Sequence, residues 1–187
     1  MIRIHRLASH ILSKNTLAKG TSFRFSSAGI DQNKNFDKLK QLRRDYNSDT
    51  ILTRSDMESC PFQQFTKWLD EAIQSDQKWE ANAMVVSTCD KAGNPSSRYV
   101  LLKEYDKSGF VFYTHHESKK GSQLAENPNI AALLYFPLKY RQIRIEGKVE
   151  KLSEEQNDEY FYSRPLGAQI SASVSPQSQV IDSKDTL

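Results

Sequence analysis

The sequence predicts an α+β domain built on a small antiparallel β-barrel with short flanking helices. Two observations carry that expectation. Residues 62–73 repeat their apolar side chains at helical spacing, and from residue 82 the period changes to 2 or to short apolar runs of strand length. Those runs are joined by short turns containing Gly or Asn, which favours antiparallel neighbours over parallel crossovers.

Taken in order, residues 1–27 hold five cations, seven Ser or Thr and no acid, with Ile4, Leu7, Ala8, Ile11 and Leu12 at helical spacing. This reads as a basic amphipathic helix of the mitochondrial transit-peptide kind, the alternative being a disordered basic tail on a cytoplasmic protein, and it is placed outside the fold. Residues 28–58 form an N-terminal arm, and residues 59–187 the working domain. Pro61 opens a helix whose Phe62, Phe65, Trp68, Leu69, Ala72 and Ile73 make one apolar stripe. Strands follow at 83–89, 97–105 and 109–115, separated by turns at 90–95 and 106–109. A short helix over 117–128 is stopped by Asn127-Pro128, and strands at 130–136 and 140–152 come next, the second with a bulge expected at Gly147. Ser153 and Gln156 form a capping-box pattern that starts a helix to about Ser163. Residues 166–187 are Ser- and Gln-rich, with no clear stop of their own.

Composition narrows the function classes. The chain has 187 residues, 26 Lys and Arg against 23 Asp and Glu, and a formal charge of +3. Beyond residue 30 there are 21 cations against 23 acids, so the positive excess belongs to the tail. A domain of about that balance gives no nucleic-acid footprint. No apolar run approaches the ~18 residues of a membrane span, so no membrane partner is expected. Cys60 and Cys89 lie in no metal-ligand or disulfide pattern, and His115-His116 have no carboxylate at ligand spacing, so no metal is expected. No Ser or Cys has the motif-level partner that nucleophilic catalysis needs.

What remains is a set of cations on strands and strand ends: Arg98, Lys103, Lys119, Lys120, Arg141, Arg144 and Arg164, with Thr114, Ser118 and Gln142 near them in sequence. Arg and Lys beside neutral donors are the inventory that holds a phosphate, which points to a phosphorylated small ligand. Surface cations with their stems packed on the sheet are the competing explanation.

The order of motifs resembles one family closely. LRRDY (42–46), the stretch 81–128 containing RYVLLK, FYT and SKKG, RQIRIEGKVEKL (141–152), EYFYSRPLGAQIS (159–171) and SPQSQVI (175–181) are similar to pyridoxamine/pyridoxine 5′-phosphate oxidases. The resemblance implies an FMN-binding split β-barrel and a homodimer with FMN at its interface. It implies oxidation of pyridoxamine 5′-phosphate or pyridoxine 5′-phosphate by O2 to pyridoxal 5′-phosphate and H2O2.

On this pattern Arg98 and Lys103, with the backbone of Tyr99, Val100, Leu101 and Leu102, hold the flavin phosphate and ring edge. Tyr113, Thr114, Lys119, Lys120, Gln177 and Ser178 add polar contacts, and Gln142 reaches the flavin from the neighbouring subunit. Lys103, Tyr160 and Arg164 hold the substrate phosphate, and Arg43, Arg44, Asp45 and Tyr46 belong to an arm that closes over the pyridine ring. No residue is singled out as catalytic.

Two departures from the family pattern stand out. Lys119 is a point charge where the family has the forked Arg, and Ala168 stands where a Ser hydroxyl meets the substrate phosphate. The family pattern also continues past the last residues here, with a Trp and an Arg-x-His segment, so the chain is expected to hold only the earlier part of that domain. A second reading follows, in which a truncated or diverged chain binds FMN or a B6 phosphate without turning it over.

Overall fold

The computed structural model describes residues 2–6, 39, 41–42, 51–75 and 79–183. Its centre is one seven-stranded antiparallel sheet formed by β1 (Ile2–Arg6), β2 (Ala83–Cys89), β3 (Pro95–Leu101), β4 (Glu104–Asp106), β5 (Gly109–Phe112), β6 (Asn129–Phe136) and β7 (Arg141–Lys151). The spatial order is β3-β2-β6-β7-β1-β5-β4. Accompanying it among the described residues are the α-helices α1 (Pro61–Gln74), α2 (Lys119–Glu126), α3 (Glu154–Ser163) and α4 (Leu166–Val174). This is the α+β, antiparallel class that the change of period predicts.

Strand alternation sets the core. Met84, Val86 and Thr88 of β2 point inward between half-buried neighbours, and β6 buries Ile130, Ala132, Leu134 and Phe136 on the same face. Helix α1 closes that face. Pro61 at its first position has the backbone angle a helix start needs, and Phe65, Trp68, Leu69 and Ala72 recur on its buried side. Burying each of the three large side chains contributes about 1.5–3 kcal/mol. Phe65 meets Tyr105 and Phe110 edge-on at centroid distances of 4.7 and 5.2 Å, so α1 is anchored on β4 and β5. At its other end Arg141 of β7 lies over the Trp68 ring and pairs with Glu71 at 2.6 Å. Ile73, expected on the apolar stripe, is 61% exposed, and the buried stripe ends at Ala72.

Several boundaries differ from the sequence expectation. The strand expected over 97–105 breaks after Leu101, where the chain changes partners. The Leu102 amide donates to the Asn82 carbonyl at 2.8 Å, and the Lys103 amide to the Val111 carbonyl at 2.9 Å. Residues 102–103 therefore turn a corner between β2 and β5. The strand expected to reach 115 ends at Phe112, because His115 is drawn into the N-terminal cap of α2: the Ser118 hydroxyl donates to its carbonyl at 2.7 Å. No bulge occurs at Gly147, since Ala131↔Glu146, Ile130↔Gly147 and Asn129↔Lys148 run in unbroken register. Gly147 faces Arg6 of β1 on its other side. Residues 166–174, which show no apolar pattern, form α4, a helix without buried residues.

The largest difference is at the beginning of the chain. Residues 2–6, placed outside the fold on sequence grounds, form β1 in the interior of the sheet. The segment Ile2-Arg3-Ile4 satisfies period 2 as well as the start of a helical stripe, and pairing on both sides decides in favour of the strand. The remainder of the expected amphipathic helix lies outside the described residues.

Candidate functional site

Three pieces of chain converge beside the corner at residues 102–103. The end of β3 brings Tyr99, Val100 and Leu101, and the corner brings Lys103. The exit of β5 brings Tyr113, Thr114, His115 and His116, and the first turn of α2 brings Lys120. Helix α3 and the segment after it complete the wall with Tyr160, Arg164 and Gln177, enclosing a cavity of about 750 Å³. That is within the size range of cofactor and ligand sites.

Off the cavity wall, but close enough to Lys120 for its charge to act there, Arg98 belongs to a polar network between the end of β2 and the first half of β3. Arg98 uses one guanidinium nitrogen, Nη1, to donate to the carbonyls of Val86 and Ser96 at 3.3 and 3.1 Å and to the Thr88 hydroxyl at 2.8 Å. Thr88, buried to 3% exposure, donates to Gln123 Oε1 at 2.6 Å, and Gln123 Nε2 donates to Ser96 Oγ at 3.3 Å. Among the described residues Nη1 alone is engaged, so Nη2 and Nε of Arg98 keep their donors.

Lys120 is the second cation. It is 8% exposed, and its Nζ donates to Gln177 Oε1 at 2.6 Å. Burial pushes its ammonium below the usual lysine range, and the charge of Arg98 pushes it the same way. Burial also lowers the Arg98 guanidinium. Among the described residues neither cation has a carboxylate partner. Lys119 and Lys120 occupy the first turn of α2, where the helix dipole already concentrates positive charge. Lys120 at this helix N-terminus, capped by Ser118, and Arg98 on β3 are two partly buried cations that repel one another until an anion arrives, and a helix N-terminus with cations beside it suits a phosphate. This is the feature of the chain that fits the phosphate of a nucleotide-type cofactor.

The opposite wall is aromatic and cationic. Tyr113 and Tyr160 stack at a centroid distance of 3.3 Å with 15° between the planes, and the Arg164 guanidinium lies 6.0 Å from the Tyr160 ring. The Tyr113 hydroxyl donates to Glu104 Oε1 at 3.2 Å. Burial first, and the Glu104 charge second, push its phenol well above the ordinary range, so it remains protonated. Thr114 Oγ1 lies 3.4 Å from both Ser118 Oγ and Gln177 Oε1, which ties the β5 exit to the segment after α4.

The structure thus brings together Tyr99, Val100, Leu101, Lys103, Tyr113, Thr114, Lys120, Tyr160, Arg164 and Gln177, with Arg98 beneath them. It does not bring in the rest. Leu102 is in the core at 4% exposure, and Lys119 is exposed and off the cavity wall. Ser178 has a left-handed backbone, φ 70°, and Ala168 sits on α4 with its amide donating to the Pro165 carbonyl at 2.8 Å; neither lines the cavity. Gln142 borders a different depression, of about 850 Å³, with Trp79, Leu133 and Tyr135, while Tyr99 to Leu101 border both. Arg43, Arg44, Asp45 and Tyr46 lie outside the described residues.

Sequence reasoning did not find Thr88 and Gln123, which position Arg98, or Asn157, Ser171 and Ser173, which line the cavity. Thr88 was detectable in principle as a polar residue at an inward position of an apolar strand. The serines of α4 carried no signal, because the helix itself was not expected.

Comparison with known proteins agrees with this geometry. A family described as pyridoxamine 5′-phosphate oxidase matches residues 69–187. A pyridoxine/pyridoxamine 5′-phosphate oxidase of Burkholderia thailandensis is 50% identical over 149 residues, which is 80% of this chain and 69% of that protein. The chloroplastic pyridoxine/pyridoxamine 5′-phosphate oxidase 1 of Arabidopsis thaliana is 47% identical over 80% of this chain and 28% of its own length. Among solved structures, PhzG from Burkholderia lata, in complex with tetrahydrophenazine-1-carboxylic acid, superposes with a TM-score of 0.67 at 29% identity, over 72% of this chain and 67% of that one. A pyridoxamine 5′-phosphate oxidase-related, FMN-binding protein from Nostoc punctiforme has the same fold, with a TM-score of 0.55 at 17% identity over 70% of this chain and 72% of that one. The sheet is therefore the split β-barrel the motifs led us to expect, and the chain belongs to the pyridoxamine 5′-phosphate oxidase family of oxidoreductases.

Proposed function

We propose that the chain binds FMN with its phosphate on Arg98 and Lys120, and oxidises pyridoxamine 5′-phosphate or pyridoxine 5′-phosphate to pyridoxal 5′-phosphate, with O2 as acceptor and H2O2 as product. The observation that carries this reading is a pair of partly buried cations without a carboxylate partner among the described residues, Lys120 at the capped N-terminus of α2 and Arg98 on β3, close enough for the charge of one to act on the other. The names of its relatives support the substrate class.

When bound, FMN supplies a two-electron acceptor that O2 regenerates. The chain's own residues hold and orient. Nη2 and Nε of Arg98 and the Lys120 ammonium neutralise the cofactor phosphate, while Thr88 and Gln177 keep both cations in place. Lys103, Tyr160 and Arg164, together across the cavity, hold the substrate phosphate and so fix the position of its reacting carbon. Positioning of this kind is what a protein contributes when its cofactor performs the redox chemistry. The protonated Tyr113, held by Glu104, offers a flat face and no charge beside the ring.

A homodimer belongs to the same proposal. Tyr99 at 76% and Tyr135 at 50% exposure flank the depression that contains Gln142, so a second copy seated there covers them and brings its Gln142 toward the strand that borders both cavities. The acid-free composition of residues 1–27 supports delivery to the mitochondrion, which import into isolated organelles tests.

The deciding experiment uses the full chain reconstituted with FMN, reading visible absorbance, molar mass in solution and H2O2 release with pyridoxamine 5′-phosphate. One flavin per protomer on a dimer with turnover is expected. Bound flavin without turnover establishes the second reading, a non-catalytic binder, and the absence of flavin overturns the proposal.

A further inference from the structure

β1 lies inside the sheet, yet among the described residues the next strand along the chain is β2, which begins at Ala83. On one side it pairs with β5 through Ile2↔Phe112, Arg3↔Val111 and Ile4↔Phe110. On the other it pairs with β7 from Ile2↔Lys151 to Arg6↔Gly147. β5 and β7 are not neighbours of each other, so this strand is the ladder that joins β4–β5 to the remaining four strands.

The slot is shaped for its occupant. Ile2 and Ile4 are 3% and 0% exposed and belong to the main core. Arg3 points to the other face, where its Nη1 donates to Ser108 Oγ at 2.7 Å and Nη2 lies 3.5 Å from Asp106 Oδ2. A side chain at Gly109 would put its Cβ 2.2 Å from the Ile4 carbonyl oxygen, so only glycine there admits the strand. The walls of the slot are held without β1: Phe65 of α1 packs on Tyr105 and Phe110, Glu71 of the same helix holds Arg141 at the start of β7, and the Lys103 amide bonds to Val111.

We propose that the gap between β5 and β7 is a strand-acceptor slot, and that residues 2–6 of the same chain are its non-covalently retained occupant. Residues 2–6 are then a lasting part of the barrel. The slot reads an extended segment with apolar residues at alternate positions and a cation between them, the pattern of Ile2-Arg3-Ile4. Because the strand fixes β5, whose exit carries Tyr113 and Thr114, its seating also sets one wall of the cavity.

The test keeps the whole chain. A recognition sequence for a specific protease replaces part of residues 12–22, and the folded protein is cut there. The fragment carrying residues 2–6 is expected to co-elute with the rest in gel filtration, and to be displaced slowly by an excess of a synthetic peptide of residues 1–7. Ile4→Asp in the same background is expected to release the fragment on cutting, and Gly109→Ala to release it through the opposite wall. Release of the unmodified fragment, with the thermal transition of the remainder unchanged, overturns the proposal. Hydrogen exchange on the uncut chain gives an independent decision: protection of residues 2–6 equal to that of β2 supports the slot, and exchange at the rate of an unstructured peptide refutes it.

Discussion

Tyr113 lies flat against Tyr160, 3.3 Å between centroids and 15° between planes, and this stack is the joint by which the two C-terminal helices meet the barrel. Neither α3 nor α4 buries a residue of its own, so they lean on this ring pair and on the bond from Lys120 to Gln177. An aromatic pair of this kind contributes about 0.5–1.5 kcal/mol beyond its area. Tyr160→Ala is expected to leave the barrel folded while α3 and α4 become sensitive to protease and lose exchange protection. Unchanged protection would show that another contact docks them.

The two phosphate ends should separate in binding measurements. Loss of a hydrogen bond to a charged group costs about 1.5–3 kcal/mol, roughly a ten- to hundredfold change in Kd. Arg98→Ala and Lys120→Ala are expected to weaken FMN by that factor in a fluorescence titration. Lys103→Ala and Arg164→Ala are expected to retain FMN and weaken pyridoxamine 5′-phosphate instead. If the four variants affect the same ligand, the division of the cavity is wrong.

Gly121 marks a close approach between α2 and the loop before it. A Cβ there would lie 2.2 Å from the His116 carbonyl oxygen and 2.5 Å from that of His115, both backbone atoms that cannot swing aside. Gly121→Ala is expected to lower stability by about 1–3 kcal/mol and to displace Lys120, seen as a lower Tm together with weaker FMN binding. Gly93, by contrast, has φ 85° with open space around it, so substitution there strains only the turn.

Acid sensitivity should report on the turn that faces β1. Hydrogen bonds from Ser108, then the charge of Arg3, hold the Asp106 carboxyl below its ordinary value. A carboxyl with a depressed folded-state pKa adds stability above its unfolded pKa and loses it as pH falls through the folded one. Asp106→Asn is therefore expected to flatten the fall in Tm below about pH 4 while lowering Tm at neutral pH. Parallel acid profiles for the two proteins would remove the carboxyl from that role.

Legibility in the sequence followed how local the governing interaction was. The helix at Pro61, the capping box at Ser153 and the strands of β2, β6 and β7 rest on side chains within a few residues of one another, and their patterns were readable. The break at Leu101 was not, because it is caused by partners at Asn82 and Val111. In the site, cations and aromatics carried by sequence motifs were found, whereas the neutral residues that hold them, Thr88 and Gln123, were hidden inside ordinary strand and helix patterns. The position of β1 depends on two strands more than a hundred residues away, so helical spacing over 4–12 and strand alternation over 2–4 could not be told apart locally.

That separation also has a kinetic consequence. Ile2 must meet Phe112 and Lys151, so the sheet closes through contacts of high sequence separation, and the entropy of closing such loops is spent before the contacts return anything. During synthesis residues 2–6 emerge before both of their partner strands, and their slot exists only once residue 151 has followed. For that interval an apolar strand waits without its partners, an invitation to aggregation that the cations at Arg3 and Arg6 oppose. The yield of folded protein is then exposed to the kinetics of closing the sheet as well as to its equilibrium stability.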